Sequence, residues 1–327
     1  MLKRLILSRE ALLFGAIAIL CALIATRFPG FVAPSNLMRV FNDTSPLILL
    51  AIGQMIVILT KCIDLSVAAN LALTGMCVAM LNTAYPGLPI AVILVIAVGL
   101  GAVMGMFNGI LVWKLAIPPI VVTLGTMTIF RGIIFLVSDG NWVNSHEMSA
   151  SFKAFSRSEF LGLPMLSWTA ILAVIVFTLV MTRTTLGRGF YAVGGNPHAA
   201  TYTGLNVGRS QFWAFTISGA LAGLTGYLWV SRYAVAYVDL AGGFELDVVA
   251  ACVIGGISIA GGIGTVGGAV LGALFLGVIK NALPVVNISP FWQLAISGAA
   301  IIIAVIVNAR AGREKGRIIL KSAEKPA

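Results

Sequence analysis

Charged side chains are scarce in this 327-residue chain. Lys, Arg, Asp and Glu together make up 10% of it, where a soluble globular protein carries about 25%. With 59% of the residues apolar, there is too little polar surface to wet a ball of this size, and too much apolar surface for a disordered chain. Histidine occurs only twice, at His146 and His198, and the four cysteines, Cys21, Cys62, Cys77 and Cys252, form no Cys-x-x-Cys pair. A zinc or haem site and a disulfide framework are therefore not indicated, and the cysteines read as small packing groups. The phosphate-binding pattern Gly-x-x-x-x-Gly-Lys-Ser/Thr is absent, since the glycine run at 261–268 holds no lysine. No ATPase motif, metal or cofactor of the chain's own is expected.

What the chain does have is long apolar runs. A bilayer-crossing helix uses roughly 20 residues, and the runs are continuous, unlike the alternation of a membrane barrel. The fold expected is an all-α membrane protein of about ten transmembrane helices. They fall at 11–26, 46–62, 65–82, 90–112, 118–137, 165–181, 211–230, 247–262, 264–282 and 291–307. The third and eighth are the least regular, because Asn70, Thr74 and the glycine runs dilute their hydrophobicity. Ala11–Thr26 follows Lys3, Arg4 and Arg9 without a small-residue cleavage site and reads as an uncleaved first span.

The net charge of +10 points to membrane orientation rather than nucleic acid. Basic residues flanking spans mark the inner side, and placing both termini there puts about fourteen of the 21 basic residues inside. The organisation expected is then a cytoplasmic N-terminus at 1–10, one transmembrane domain at 11–307 and a basic cytoplasmic tail at 308–327. Within it, 182–210 is a cytoplasmic loop and 138–164 an extracytoplasmic one. Five spans per half would give halves of opposite topology, as in many transporters. Ile63-Asp64-Leu65-Ser66-Val67 and Glu245-Leu246-Asp247-Val248-Val249 echo each other. The echo is short enough to arise by chance, so an inverted five-plus-five repeat and no repeat are both open.

The most informative polar segment runs from Gly187 to Leu205. Asn196 suits a helix N-cap and Pro197 the first helical position. Ala199 and Ala200 favour helix, and Gly204 can close it in a left-handed turn. A two-turn helix is not stable alone in water, so it needs a surface to dock on, its own protein or another.

Gly187-Arg188, Ala192-x-Gly194-x-Asn196-x-x-Ala199-Ala200 and Gly204 resemble the cytoplasmic loop of ribose-type sugar permeases, the membrane subunits of bacterial ATP-binding-cassette importers. Ile63-Asp64-Leu65-Ser66-Val67, Pro119 to Gly132, and Glu245 to Gly272 resemble other segments of that family, and the resemblance spans about 35–307. Lys61-Cys62 and Ala68 depart from it, standing where the family has glycines. That departure is consistent with a side branch, rhamnose or autoinducer-2 permeases being candidates.

The resemblance implies a mechanism and a set of partners. Two permeases, the same chain or a similar one, form the pore in a bacterial inner membrane. A periplasmic binding protein delivers a monosaccharide or similar solute. A cytoplasmic ATPase, which uses the ATP, grips Gly187, Arg188, Gly194, Asn196, Pro197, Ala199, Ala200 and Gly204. Residues polar enough to meet a passing sugar are Gln54, Asp64, Asn70, Thr74, Asn108, Thr123, Thr126 and Asp247, although each could equally bridge helices. Glycines 101, 105 and 109, then 219 and 223, then 264, 268 and 272 recur at a spacing that lets helices approach closely. Lys61, three residues before Asp64, is placed to pair with it on a helix.

Two other functions compete. An ion-coupled secondary transporter wants carboxylates deep in the membrane, whereas Asp64, Glu245 and Asp247 fall at the ends of expected spans. An intramembrane enzyme wants clustered His, Asp or metal ligands, and the two histidines lie in separate loops.

Overall fold

The structure is a computed structural model. It describes residues 9–289 and, beyond them, Phe291, Trp292, Ala295, Ile296, Gly298, Ala299 and Ile302. Residues 1–8, most of the expected last span and the basic tail lie outside the described residues.

Helices dominate, and most begin where the sequence supplies a start signal. In order they are α1 (Arg9–Ala25), α2 (Pro34–Leu59), α3 (Val67–Ala84), α4 (Ile90–Lys114), α5 (Pro119–Ser138), α6 (Ala150–Arg157) and α7 (Met165–Arg183). Then come α8 (Thr185–Gly195), α9 (Pro197–Tyr202), α10 (Val207–Tyr233), α11 (Phe244–Ile254) and α12 (Val266–Val285). Proline occupies the first turn of α2, α5 and α9, where its missing N–H costs nothing. Thr184, Asn206 and Thr265 cap α8, α10 and α12 with their side-chain oxygens. Among the described residues seven helices, α2, α3, α4, α5, α7, α10 and α12, are long and apolar enough to cross a membrane. The chain is an all-α membrane protein.

The 26-residue α2 and the 27-residue α10 form the buried centre. Helix α10 is flanked by α2, α3 and α4, while α2 also packs on α12. Glycines make the closest contact. A methyl group on Gly101, Gly105, Gly219 or Gly223 would overlap backbone of the facing helix, so α4 and α10 touch main chain to main chain. In lipid this dispersion contact substitutes for hydrophobic driving force. Gly268 and Gly272 of α12 do the same against Gly255 and Ala251.

Two links depart from the spans expected. Residues 60–66 are not helical: Lys61 takes φ 64° and the chain climbs back into the bundle before α3 starts. The eighth span is a half-length helix. Helix α11 has 11 residues, about 16 Å at 1.5 Å per residue, and stops at Gly255. Residues 255–265 are irregular, with Gly256, Gly261 and Gly262 at positive φ. The glycines of this link pack on α2, α8 and α12 at the Lys61 end of the bundle, while Ile263 is exposed.

Segment 138–164 is a structured cap. Helix α6 buries Phe152 edge-on against Tyr227, 5.0 Å between rings. Arg157 donates through Nε and Nη2 to the Arg232 carbonyl at 2.8 and 2.6 Å, near the end of α10. A short hairpin, β1 (Glu159–Phe160) and β2 (Leu163–Pro164), follows. This end of the bundle also holds the Asp43–Arg232 ion pair, and the opposite end holds Lys61.

Candidate functional site

At the Lys61 end, α8 and α9 form an elbow outside the bundle. Asn196 makes the corner, its Oδ1 accepting from the Ala199 amide at 3.0 Å. Gly204 follows α9 at φ 84°. The local reading of this segment as a short helix with an Asn196 cap and a left-handed glycine exit matches the structure.

The elbow has a rooted face and a free face. Gly187 is buried, and a methyl there would overlap the Val180 carbonyl of α7. Gly194 lies against the carbonyl oxygen of Leu59, where a side chain would overlap it. The Gly262 amide donates to that same oxygen at 3.0 Å. Tyr191 donates from its hydroxyl to the Gly264 carbonyl at 2.9 Å, and burial pushes its pKa up. Ala200 is buried beneath α9. On the other face Arg188, Asn196, His198, Ala199 and Gly204 are exposed, Pro197 is half-buried, and Tyr202 is 92% exposed. The end of α2, the 255–265 link and the elbow thus meet at one junction. Sequence reasoning missed Tyr202, Leu59 and Gly262. A lone exposed tyrosine in a polar loop is a visible signal; the convergence of 59, 194 and 262 is a tertiary fact.

The second set of residues lies in the interior. Gln54, Asp64, Asn70, Thr74, Asn108, Thr123, Thr126 and Asp247 are all buried. Asp64 is the hub. Its Oδ1 accepts from the Ser66 amide at 2.9 Å and from the Ser66 hydroxyl at 2.6 Å, and its Oδ2 accepts from Ser218 Oγ at 3.4 Å. It therefore meets the positive end of α3. The Gln54 amide, oriented to suit its neighbours, donates to the Asp64 carbonyl at 3.1 Å and accepts from the Asp64 amide at 3.2 Å. Asn108 Nδ2 donates to Ser66 Oγ at 2.8 Å, while its buried Oδ1 has no partner. Asn70 Nδ2 donates to the Gly101 carbonyl at 3.1 Å and Thr74 Oγ1 to Asn70 Oδ1 at 3.4 Å. Thr123 Oγ1 donates to the Ile63 carbonyl at 3.2 Å, and Thr126 Oγ1 turns back to its own helix. Asp247 lies in the first turn of α11.

Two expectations need correction. Asp64 is not at a span end but level with Ser218, well inside α10, because the 60–66 link re-enters the bundle. Lys61 and Asp64 form no ion pair; outside a helix their three-residue spacing no longer puts them side by side, and Asp64 is taken by Ser66 and Ser218. Lys61 takes a left-handed φ of 64°, which glycine adopts most freely, at one of the places where the resemblance to sugar permeases implies a glycine.

Residues 36–305 match the family described as branched-chain amino acid transport system, permease component. The autoinducer 2 import system permease protein LsrC of Enterobacter sp. (strain 638) is 36% identical over 310 residues, covering 94% of this chain and 89% of that one. The LsrC protein of Salmonella typhi is 36% identical over 314 residues, 95% of this chain and 88% of that one. The ribose import permease protein RbsC of Bacillus subtilis (strain 168) is 35% identical over 295 residues, 90% of this chain and 91% of that one. No solved structure matches the chain.

Proposed function

This chain belongs to the family of branched-chain amino acid transport system permease components, and on that premise we propose that it passes a monosaccharide or similarly hydroxyl-rich solute through a bacterial inner membrane. It is a permease subunit of an ATP-binding-cassette importer; subunits of this kind are not enzymes, and ATP is used by a separate ATPase. The observation that carries the reading is the elbow of α8 and α9: a rigid, outward-facing helix pair rooted at the end of the central helix α2. A motor bound to its free face would move the re-entrant link that holds Asp64. Rigid elements joined at a packed junction transmit motion without chemistry of their own.

The finer architecture is part of the proposal. Of the ten spans, nine would be the seven long helices, the shorter α1 and the half-helix α11 with its link; the tenth, 291–307, falls mostly outside the described residues. An inverted repeat of five plus five is supported by the two central helices. Each is followed by a link that turns back into the bundle, 60–66 after α2 and 234–243 after α10, and the two links enter from opposite ends of the bundle. Cytoplasmic termini are supported by Lys61, Lys114, Arg183, Arg188 and Arg209 gathering at the elbow end. The cap at the Asp43 end would then face a periplasmic binding protein, and a second permease, the same chain or a similar one, would complete the pore. Gln54, Asp64, Asn70, Thr74, Asn108, Thr123 and Thr126 line the route in a state where α2, α3, α4 and α5 have moved apart, and Asp247 joins it from α11.

The test is crosslinking in a purified complex with the cytoplasmic ATPase. Tyr202→Cys and His198→Cys, carrying a short bifunctional reagent, are expected to join the ATPase; Trp142→Cys, in the cap segment, is the negative control. An ATPase that co-purifies but never joins to position 198 or 202 overturns the coupling role.

A further inference from the structure

Helix α5 carries one cation deep in its length. Arg131 is the thirteenth of its 20 residues, roughly 18 Å from the Pro119 end. Its Nη1 donates to the Val238 carbonyl at 3.0 Å and to the Leu240 carbonyl at 2.7 Å, which pins the second re-entrant link against α5. Beside it opens a cleft of about 380 Å³, lined in part by Thr128, Arg131, Asp239, Gly242 and Glu245. Asp239 and Glu245 lie close enough to act on Arg131 electrostatically, yet neither reaches it within the 4.0 Å of an ion pair; among the described residues the sole ion pair is Asp43–Arg232. Charges held at membrane depth are costly unless water, a partner or a ligand satisfies them.

We propose that this cleft is a binding subsite for one neutral, hydroxyl-rich ring, the cargo of the permease reading on which this inference rests. The chemistry selects that class. Adjacent hydroxyls each donate one proton and accept others, so a vicinal diol can accept from the guanidinium while donating to a carboxylate. An anion would meet two carboxylates, and a cation would meet Arg131. The volume lies at the low end of the ~300–1,000 Å³ of small-molecule sites, enough for one ring and not for an oligosaccharide. Tyr237, two residues before Asp239, stacks on Trp142 at 5.0 Å, and Trp142 is 58% exposed. The outer face of Trp142 offers a flat apolar surface to ring C–H groups, with the half-buried Tyr237 behind it. Helix α5 also supplies the continuation: Thr126 and Thr123 follow toward the Lys61 end, and Thr123 bonds the Ile63 carbonyl beside Asp64.

A structural role for Arg131 alone, holding the link, predicts no dependence on the carboxylates, because its bonds go to backbone. The experiment therefore uses Asp239→Asn and Glu245→Gln. Each is assembled with ATPase and binding protein in ATP-loaded proteoliposomes and assayed with labelled ribose, rhamnose, xylose, arabinose and autoinducer 2, and with gluconate and glucosamine as charged probes. Expected is a rise of about tenfold in KM for the neutral solute carried, the loss of one charge-assisted hydrogen bond. Maximal rate, assembly and stimulated ATP hydrolysis should stay near wild type. Unchanged KM in both variants overturns the subsite. So does uptake of gluconate or glucosamine in preference to every neutral probe, or uptake of none of them by a wild-type complex that assembles. Failure of the ATPase to assemble at all would instead overturn the permease reading itself.

Discussion

Gly194 of α8 seats its α-carbon directly on the carbonyl oxygen of Leu59, the last residue of α2. The Gly262 amide bonds the same oxygen, so one acceptor ties three segments together. Gly194→Ala should wedge this joint. Overpacking of a close backbone contact costs typically 1–3 kcal/mol, and the expected functional result is uptake lowered at least tenfold while ATP hydrolysis persists. Gly195→Ala, next in sequence, has open space for its methyl and should be silent. Uptake and ATP hydrolysis measured on both variants check the pair; equal behaviour would show that the elbow is not rooted at Leu59.

The α4–α10 seam gives a second paired expectation. Gly219→Ala puts a methyl into the Gly101 carbonyl and the Gly105 backbone and should lower the melting temperature in detergent by several degrees. Gly99→Ala, on the exposed side of α4 with nothing near its added carbon, should leave it unchanged or raise it, since alanine is the better helix residue by about 0.5–1 kcal/mol. Thermal unfolding of both variants separates seam packing from helix propensity.

Asp64 decides between an ATP-driven and an ion-driven carrier. Its depth removes one argument against ion coupling, since a buried carboxylate is what a proton or sodium carrier needs. Its bonds argue the other way, because both oxygens are occupied by Ser66 and Ser218. Asp64→Ala strands those donors and should destabilise by about 2–4 kcal/mol; Asp64→Asn keeps one acceptor and should cost less. Uptake by wild type in ATP-loaded proteoliposomes should be insensitive to a proton uncoupler. Uptake that survives ATP removal and collapses with the uncoupler would make Asp64 a coupling site instead.

Helix positions, the elbow's cap and the glycine seams were legible because each rests on local chemistry: apolar run length, an Asn-Pro start, a four-residue glycine spacing. The breaks near 63 and between 230 and 247 were legible too, but the inward course of 60–66 was not: Ile63, Leu65 and Val67 suit a buried turn and a span end equally, so composition does not give the depth of Asp64. Lys61 looked like a helical partner for Asp64 only because its φ is not written in the sequence. The cleft joins Arg131 to Asp239 and Glu245 across more than a hundred residues, a distance over which no spacing rule operates. Tertiary cover, not local preference, determines which irregular segments survive inside the bundle.

Cys62 offers a native reporter of the link. It lies between Lys61 and Asp64 and is 2% exposed, and its Sγ sits 3.7 Å from the Thr60 carbonyl. A thiol with so little exposed surface should meet an alkylating reagent only when the link around it opens. A variant retaining only this cysteine, with Cys21→Ser, Cys77→Ala and Cys252→Ala, isolates the signal for maleimide kinetics. If a motor acting on the elbow opens the joint at Leu59, the link one turn away must loosen with it. Alkylation at pH 8 should then accelerate when the assembled complex turns over ATP and return to its slow rate when nucleotide is removed. A rate indifferent to turnover would mean that the elbow moves without moving the end of α2.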